Sequence, residues 1–207
     1  MHNLNLICIA AMLSCGSATR AFPQDKSAEK PAAATQGSAG PSSGARAEFL
    51  EEIAYYEQRY TRLAEAIPAD KCAWRPGEGV RSIGEVYAHI CAANYGIARA
   101  LGTQPPAGLD FKAIMAAGAD KAKVTQVLKE SFAHFRQAIL AISDADMDKP
   151  QKMFNRQTTV RGAFVMITGH FGEHLGQSIA YARVNGITPP WTEETQQQQK
   201  AAEKPKP

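Results

Sequence analysis

The chain has 207 residues, of which 23 are Lys or Arg and 20 are Asp or Glu, giving a net charge of +3. So small a balance, with no basic stripe interleaved with aromatics, argues against a nucleic-acid partner. The length and the 44% hydrophobic content suit one domain with an ordinary core rather than several.

Residues 1–21 contain the apolar run Leu4-Asn5-Leu6-Ile7-Cys8-Ile9-Ala10-Ala11-Met12-Leu13. About ten such residues are too few to cross a bilayer as a helix and match the core of a signal peptide. Thr19-Arg20-Ala21 presents small residues at a cleavage point, and Met12-Leu13-Ser14-Cys15 is an imperfect lipoprotein box. The expectation is an exported protein, periplasmic or lipid-anchored, with no transmembrane span in the mature form. No Lys or Arg precedes the apolar run, and a mis-assigned start would leave the protein cytoplasmic. Residues 22–46 are rich in Pro, Ala, Gly, Ser and Lys, without apolar periodicity, and are predicted to be a disordered linker.

Residues 47–191 carry the periodic pattern of a folded domain. The first helix is predicted over Ala47–Ile67, with Phe49, Ile53, Tyr56, Tyr60 and Leu63 on one stripe and Pro68 ending it. The second starts at Ser82, where Ser82-Ile83-Gly84-Glu85 forms a capping box, and runs to Leu101 before Gly102 and Pro105-Pro106. A short helical turn fits Phe111–Ala117. The third long helix spans Asp120–Ile142, with Val124, Val127, Leu128, Phe132, Phe135, Ile139 and Ile142 inward. The fourth begins near Val160 and stops at Asn185-Gly186, ahead of Pro189-Pro190.

No segment alternates with period two, so no sheet is expected. Four helices of about twenty residues, each about 30 Å long, predict an all-α four-helix bundle. Connections of about fifteen residues are long for such a bundle and point to loops covering one end. Residues 192–207, with four successive glutamines and a Lys-Pro-Lys-Pro ending, read as a disordered, solvated tail. Of the four cysteines, Cys72 and Cys91 fall in the domain. On export they have the option of one disulfide; their spacing fits no metal signature, and Cys91 reads as a small buried hydrophobe.

Five histidines are present, and two of them, His170 and His174, stand four apart in an otherwise apolar helix. That spacing stacks both rings on one helix face, where they can share a divalent ion. A catalytic site of the zinc type takes three protein ligands and an open position, so a third ligand is needed. His89 is the best candidate, near the core-facing stripe of the second helix at Val86-Tyr87-Ala88-His89-Ile90. A lone core histidine is usually structural; an i,i+4 pair with a third histidine on another buried helix is seldom accidental. His134, between Phe132 and Phe135, reads as structural or partly exposed. The run His170-Phe171-Gly172-Glu173-His174 is not His-Glu-x-x-His, so no zincin protease is inferred.

Two motifs together carry a resemblance. Trp74-Arg75-Pro76-Gly77-Glu78-Gly79-Val80-Arg81-Ser82-Ile83-Gly84-Glu85-Val86-Tyr87-Ala88-His89-Ile90 looks like a loop-into-helix segment ending in a first histidine ligand. His170-Phe171-Gly172-Glu173-His174-Leu175-Gly176-Gln177 is similar to a His-x-x-x-His-x-Gly-Gln helix. In this order, across Ala47–Trp191, they resemble the DinB/YfiT-like superfamily of metal-binding four-helix bundles, which is unrelated to the polymerase sharing the DinB name. The resemblance implies that His89, His170 and His174 are metal ligands. The family often has Arg at the position of Leu175 and a histidine at that of Glu173, so a substrate-anion contact from that place is not carried over. Family members include thiol S-transferases and thiol-dependent maleylpyruvate isomerases, and many have no assigned reaction.

A three-histidine ion with open positions makes water or a thiol nucleophilic at neutral pH. Imidazole ligands suit zinc, nickel, iron or copper, so the metal is a divalent ion (zinc, nickel or iron) of undetermined identity. The expectation is a metal-dependent enzyme, thiol S-transferase-like or hydrolase-like, acting on a small-molecule substrate that is a thiol in the first case. A homodimer is a candidate assembly. The alternative is an exported, non-catalytic metal-binding or stress-response module. Candidate helpers are Glu85, Tyr87, Asn94, Tyr95, Glu173 and Gln177, with Glu85 favoured as a cap alone.

Overall fold

The computed structural model describes residues 43–203, and the leader, most of the linker and the last four residues lie outside them. Four long helices dominate: α1 (Ala45–Ala66), α2 (Ile83–Ala100), α4 (Lys121–Leu140) and α5 (Val160–Val184). A short α3 (Phe111–Ala117) lies between α2 and α4, and α6 (Pro190–Ala202) follows α5. Three of the four long helices, α2, α4 and α5, start at a polar cap. Ser82 Oγ accepts from the Glu85 backbone N–H (3.2 Å) while a Glu85 carboxylate oxygen accepts from the Ser82 N–H (2.7 Å). Asp120 caps α4 and Thr159 caps α5 with a single bond each, the side chains accepting from the Lys123 and Gly162 backbone N–H. Gly186, with φ +74°, lets the chain turn away after α5.

Helix α4 lies against α1 and α2, and α5 against the same two helices, so α1 and α2 sit diagonally across the bundle. A diagonal step must traverse the bundle end, which accounts for the long connections. The core centres on Phe171 of α5, whose ring lies 5.6 Å from Phe132 and 5.8 Å from Phe135 of α4. Tyr60 of α1 is fully buried and donates its hydroxyl to the Phe171 carbonyl at 2.7 Å. That bond satisfies a phenol that could not otherwise be buried cheaply.

The structure corrects two expectations. A two-stranded antiparallel hairpin, β1 (Pro150–Met153) and β2 (Arg156–Thr159), stands where no sheet was anticipated. Only Met153 of its eight residues is buried, so no apolar alternation marks it in the sequence. The residues expected as a tail continue as α6 to Ala202. Trp191 at its start stacks under the Arg59 guanidinium of α1 (4.4 Å), Arg62 pairs with Glu194, and the glutamines remain exposed. Cys72 and Cys91 are both free thiols, each buried. No helix among the described residues is long and apolar enough to cross a membrane.

Candidate metal centre

Helix α2 brings His89, and α5 brings His170 and His174, to one place between the two helices. On α5 the two positions are about 40° apart around the helix axis, so their rings project side by side. The three ring centroids lie 4.7–5.4 Å apart. One ligating nitrogen from each ring falls within 4.8 Å of the other two. His170 Nε2 and His89 Nε2 are 3.3 Å apart. Two nitrogens at about 2.1 Å from one tetrahedral ion would be about 3.4 Å apart, so this pair is already at ligand spacing.

The surroundings favour neutral imidazoles. Burial pushes His89 down to about 4, helped by the positive charge of Arg81 and by His174. Burial likewise pushes His170 down to about 4, helped by His174, His89 and Arg81. A neutral ring offers the lone pair that a metal requires. The Nδ1 of His170 is buried without any hydrogen-bond partner, which is unusual for a polar atom among apolar neighbours. Among the described residues, no carboxylate joins the histidine cluster.

The tautomer of His174 is fixed by a chain of contacts. Gln177 donates its amide N–H to the Tyr181 hydroxyl (2.9 Å), which orients the amide so that its oxygen faces His174. That oxygen lies 2.9 Å from His174 Nδ1, which therefore carries the hydrogen and leaves Nε2 free. Tyr181 is held in turn by an edge-to-face contact with Trp74 (5.4 Å). The positions of Gln177 and Tyr181 follow from phase, since both lie within about 60° of the histidines around the α5 axis.

The other anticipated helpers fall elsewhere. Tyr87, Asn94 and Tyr95 sit about 120–160° around α2 from His89 and are buried in the core. Asn94 donates to the Ser131 hydroxyl of α4 (3.0 Å), and Tyr95 packs on the His134 ring (5.1 Å). Glu85 is committed to its cap and to Arg75 (3.0 Å). Glu173 is exposed. Two residues that the sequence did not single out, Lys152 and Phe154, come to the site on the hairpin. Phe154 lies nearly parallel to His170, with ring centroids 5.4 Å apart and planes 29° apart. A hairpin with no apolar alternation left no signal for either.

A helical bundle with three histidines converging between two of its helices defines the class, and comparison with known proteins places the chain within it. The chain belongs to the DinB superfamily, whose family model matches residues 53–178. Among solved structures it is similar to a DinB-like protein from Bacillus cereus ATCC 10987, with 17% identity over 69% of this chain and 93% of that one and a TM-score of 0.57. It is also similar to a DinB-like protein from Bacillus subtilis, with 18% identity over 68% of this chain and 93% of that one and a TM-score of 0.54. At these identities the likeness shows the fold alone. No curated protein matches.

Proposed function

We propose that His89, His170 and His174 hold a divalent metal ion and that the protein is a metal-dependent enzyme acting on a small molecule. The observation that carries this reading is the convergence of three imidazole nitrogens within 4.8 Å of one another, with burial keeping His89 and His170 neutral. The donor set fits zinc, nickel or iron, and its three nitrogens leave a coordination position free. Such an ion supplies Lewis acidity that makes a thiol or water nucleophilic near neutral pH.

The chain's own residues prepare that chemistry. Gln177 and Tyr181 hold His174 in one tautomer, with Nε2 presented. Phe154 lies against one side of the His170 ring. The leader-like residues 1–21 support export, and low-molecular-weight thiols are scarce outside the cytoplasm, which favours water as the nucleophile and hydrolysis as the reaction.

Metal content after chelator-free purification tests the reading. The wild type should hold one ion per chain, and His89→Ala, His170→Ala and His174→Ala should each lose most of it. A ligand at a hundred times its Kd stabilises the folded state by about 2.7 kcal/mol, so chelator should lower the wild-type Tm. His174→Ala, already without the ion, should melt at the same temperature with and without chelator. Full metal retention in all three variants would overturn the site. A panel of esters and of thiol acceptors, assayed with metal-loaded protein, then separates hydrolysis from thiol transfer.

A further inference from the structure

Two of the three histidines, His89 and His170, form one wall of a cavity of about 710 Å³. That volume is in the range of small-molecule sites. Its floor is the α2 face that carries Ala93 and Gly96, and its roof is the β1–β2 hairpin. The roof is fastened to the bundle. Met153 is buried beneath it, and Gln151 donates its side-chain amide to the Ala100 carbonyl at the end of α2 (3.1 Å).

The hairpin turn is built at a conformational penalty. Met153 pairs with Arg156, so the loop is just Phe154-Asn155, and these residues take φ +47° and +60°. Left-handed backbone suits Asn but is unusual for a bulky side chain such as Phe. The effect is to hold the Phe154 ring against His170 and to line the cavity with Lys152 and Asn155. Non-glycine strain of this kind concentrates at functional loops.

The chemistry of the lining is one-sided. None of its residues is acidic. Its sole charged side chain other than histidine is Lys152, which pairs with no carboxylate among the described residues. The remaining surface, from Ile97, Met153 and Phe154, is apolar.

We propose that this cavity binds a small organic carboxylate, with its anion held by the Lys152 ammonium and the Asn155 amide and its apolar body between Ile97 and Phe154. The substrate's reacting group then meets the histidine wall. This assignment of substrate class rests on the metal-enzyme reading for its catalytic meaning, and its binding test stands apart from that reading.

The probe is 2-naphthoate, with 2-naphthamide as its neutral isostere. Both are titrated calorimetrically against the full chain, once loaded with zinc and once after chelation. Metal-free wild type should bind the acid about fivefold more tightly than the amide, the scale of one exposed charge pair. Lys152→Gln should erase that preference without changing zinc content. Gly96→Leu should weaken acid and amide alike: a Cβ at Gly96 meets nothing within 4 Å, so the added side chain grows into the cavity without moving the helix. Equal affinity for acid and amide, a preference that survives Lys152→Gln, or no binding of either probe would each overturn the proposal. If the wild type holds no zinc yet prefers the acid through Lys152, the anion site stands and the metal reading falls. If it holds zinc and its acid preference ignores Lys152, the metal reading stands and the anion site falls.

Discussion

The two faces of α2 handle size and polarity in opposite ways. Toward α4 the helix presents Cys91, Asn94, Tyr95 and Ala98, all buried. Toward α5 and the hairpin it presents His89, Ala93, Gly96 and Ala100, all within about 40° of His89 around the axis. On the first face, polar groups find protein partners. Asn94 donates to Ser131, and Ser131 donates onward to the Leu128 carbonyl (2.9 Å), which leaves over Asn94 Oδ1 and, on the facing α4, His134 Nε2. On the second face the nearest polar neighbour of His89 is another imidazole, and small side chains leave open space. A core closes on itself, whereas a site keeps room and leaves lone pairs for something that is not protein. The same helix does both because its phase separates them.

The sharpest way to break this arrangement is at the pivot both faces share. At the first turn of α2, a Cβ on Gly84 would lie 1.8 Å from the Gly118 carbonyl oxygen and 2.8 Å from its carbon. Backbone meets backbone there, and no rotamer change relieves the clash. Gly84→Ala should therefore force α2 away from the α3–α4 connection and cost about 3 kcal/mol, at the upper end of overpacking penalties. Urea denaturation measures it. A loss within about 0.5 kcal/mol would show that the close approach tolerates a methyl group and that the pivot is loose.

The sequence carried the long helices because their apolar stripes are periodic over five or more turns. It also carried the three histidines, because imidazoles at helical spacing on apolar faces are conspicuous. What it hid has physical causes. The hairpin buries one residue of eight, so it leaves no alternation, and its Phe154-Asn155 turn lacks the usual glycine. Tyr87, Asn94 and Tyr95 looked close to His89 in sequence but are turned to the opposite side by helical phase. Gln177, by contrast, was visible as a neighbour of His174, and its role as the group that fixes the tautomer needed only the geometry of its amide. The cavity itself could not be read, since its walls come from three separate stretches of chain.

A smaller perturbation sharpens the site face instead. Gly96 lies mid-helix with ordinary helical backbone and open space around its missing Cβ. Glycine in a helix interior is less favourable than alanine by about 0.8 kcal/mol. Gly96→Ala should therefore raise stability by about that amount while trimming the cavity slightly. Nothing on the α4-facing side offers the same outcome, because those positions are packed. Thermal melts of Gly96→Ala against wild type decide the matter. Destabilisation would mean that the floor of the cavity is closer packed than this face of α2 indicates.

The smallest expected effect concerns Glu85, which separates capping from chemistry at the start of α2. Its carboxyl is held below the ordinary value of 4.5, chiefly by the Ser82 backbone N–H and also by Arg75. A carboxylate with a depressed folded pKa contributes stability above its unfolded pKa and loses it as pH falls through the folded one. The Glu85 side chain is 38% exposed, so solvent screening limits that contribution to about 0.5 kcal/mol. Glu85→Gln should therefore be slightly less stable than wild type near pH 7, and the gap should narrow as pH falls below 4.5 and close once it passes the depressed folded value, where both side chains are neutral. Metal content should be the same in both proteins, because the Glu85 side chain is engaged with Ser82 and Arg75 rather than with the histidines. A gap that persists at low pH would assign the loss to packing rather than charge. Loss of metal in Glu85→Gln would instead make the residue a support of the histidine site, and the division of labour between the two faces of α2 would begin one turn earlier.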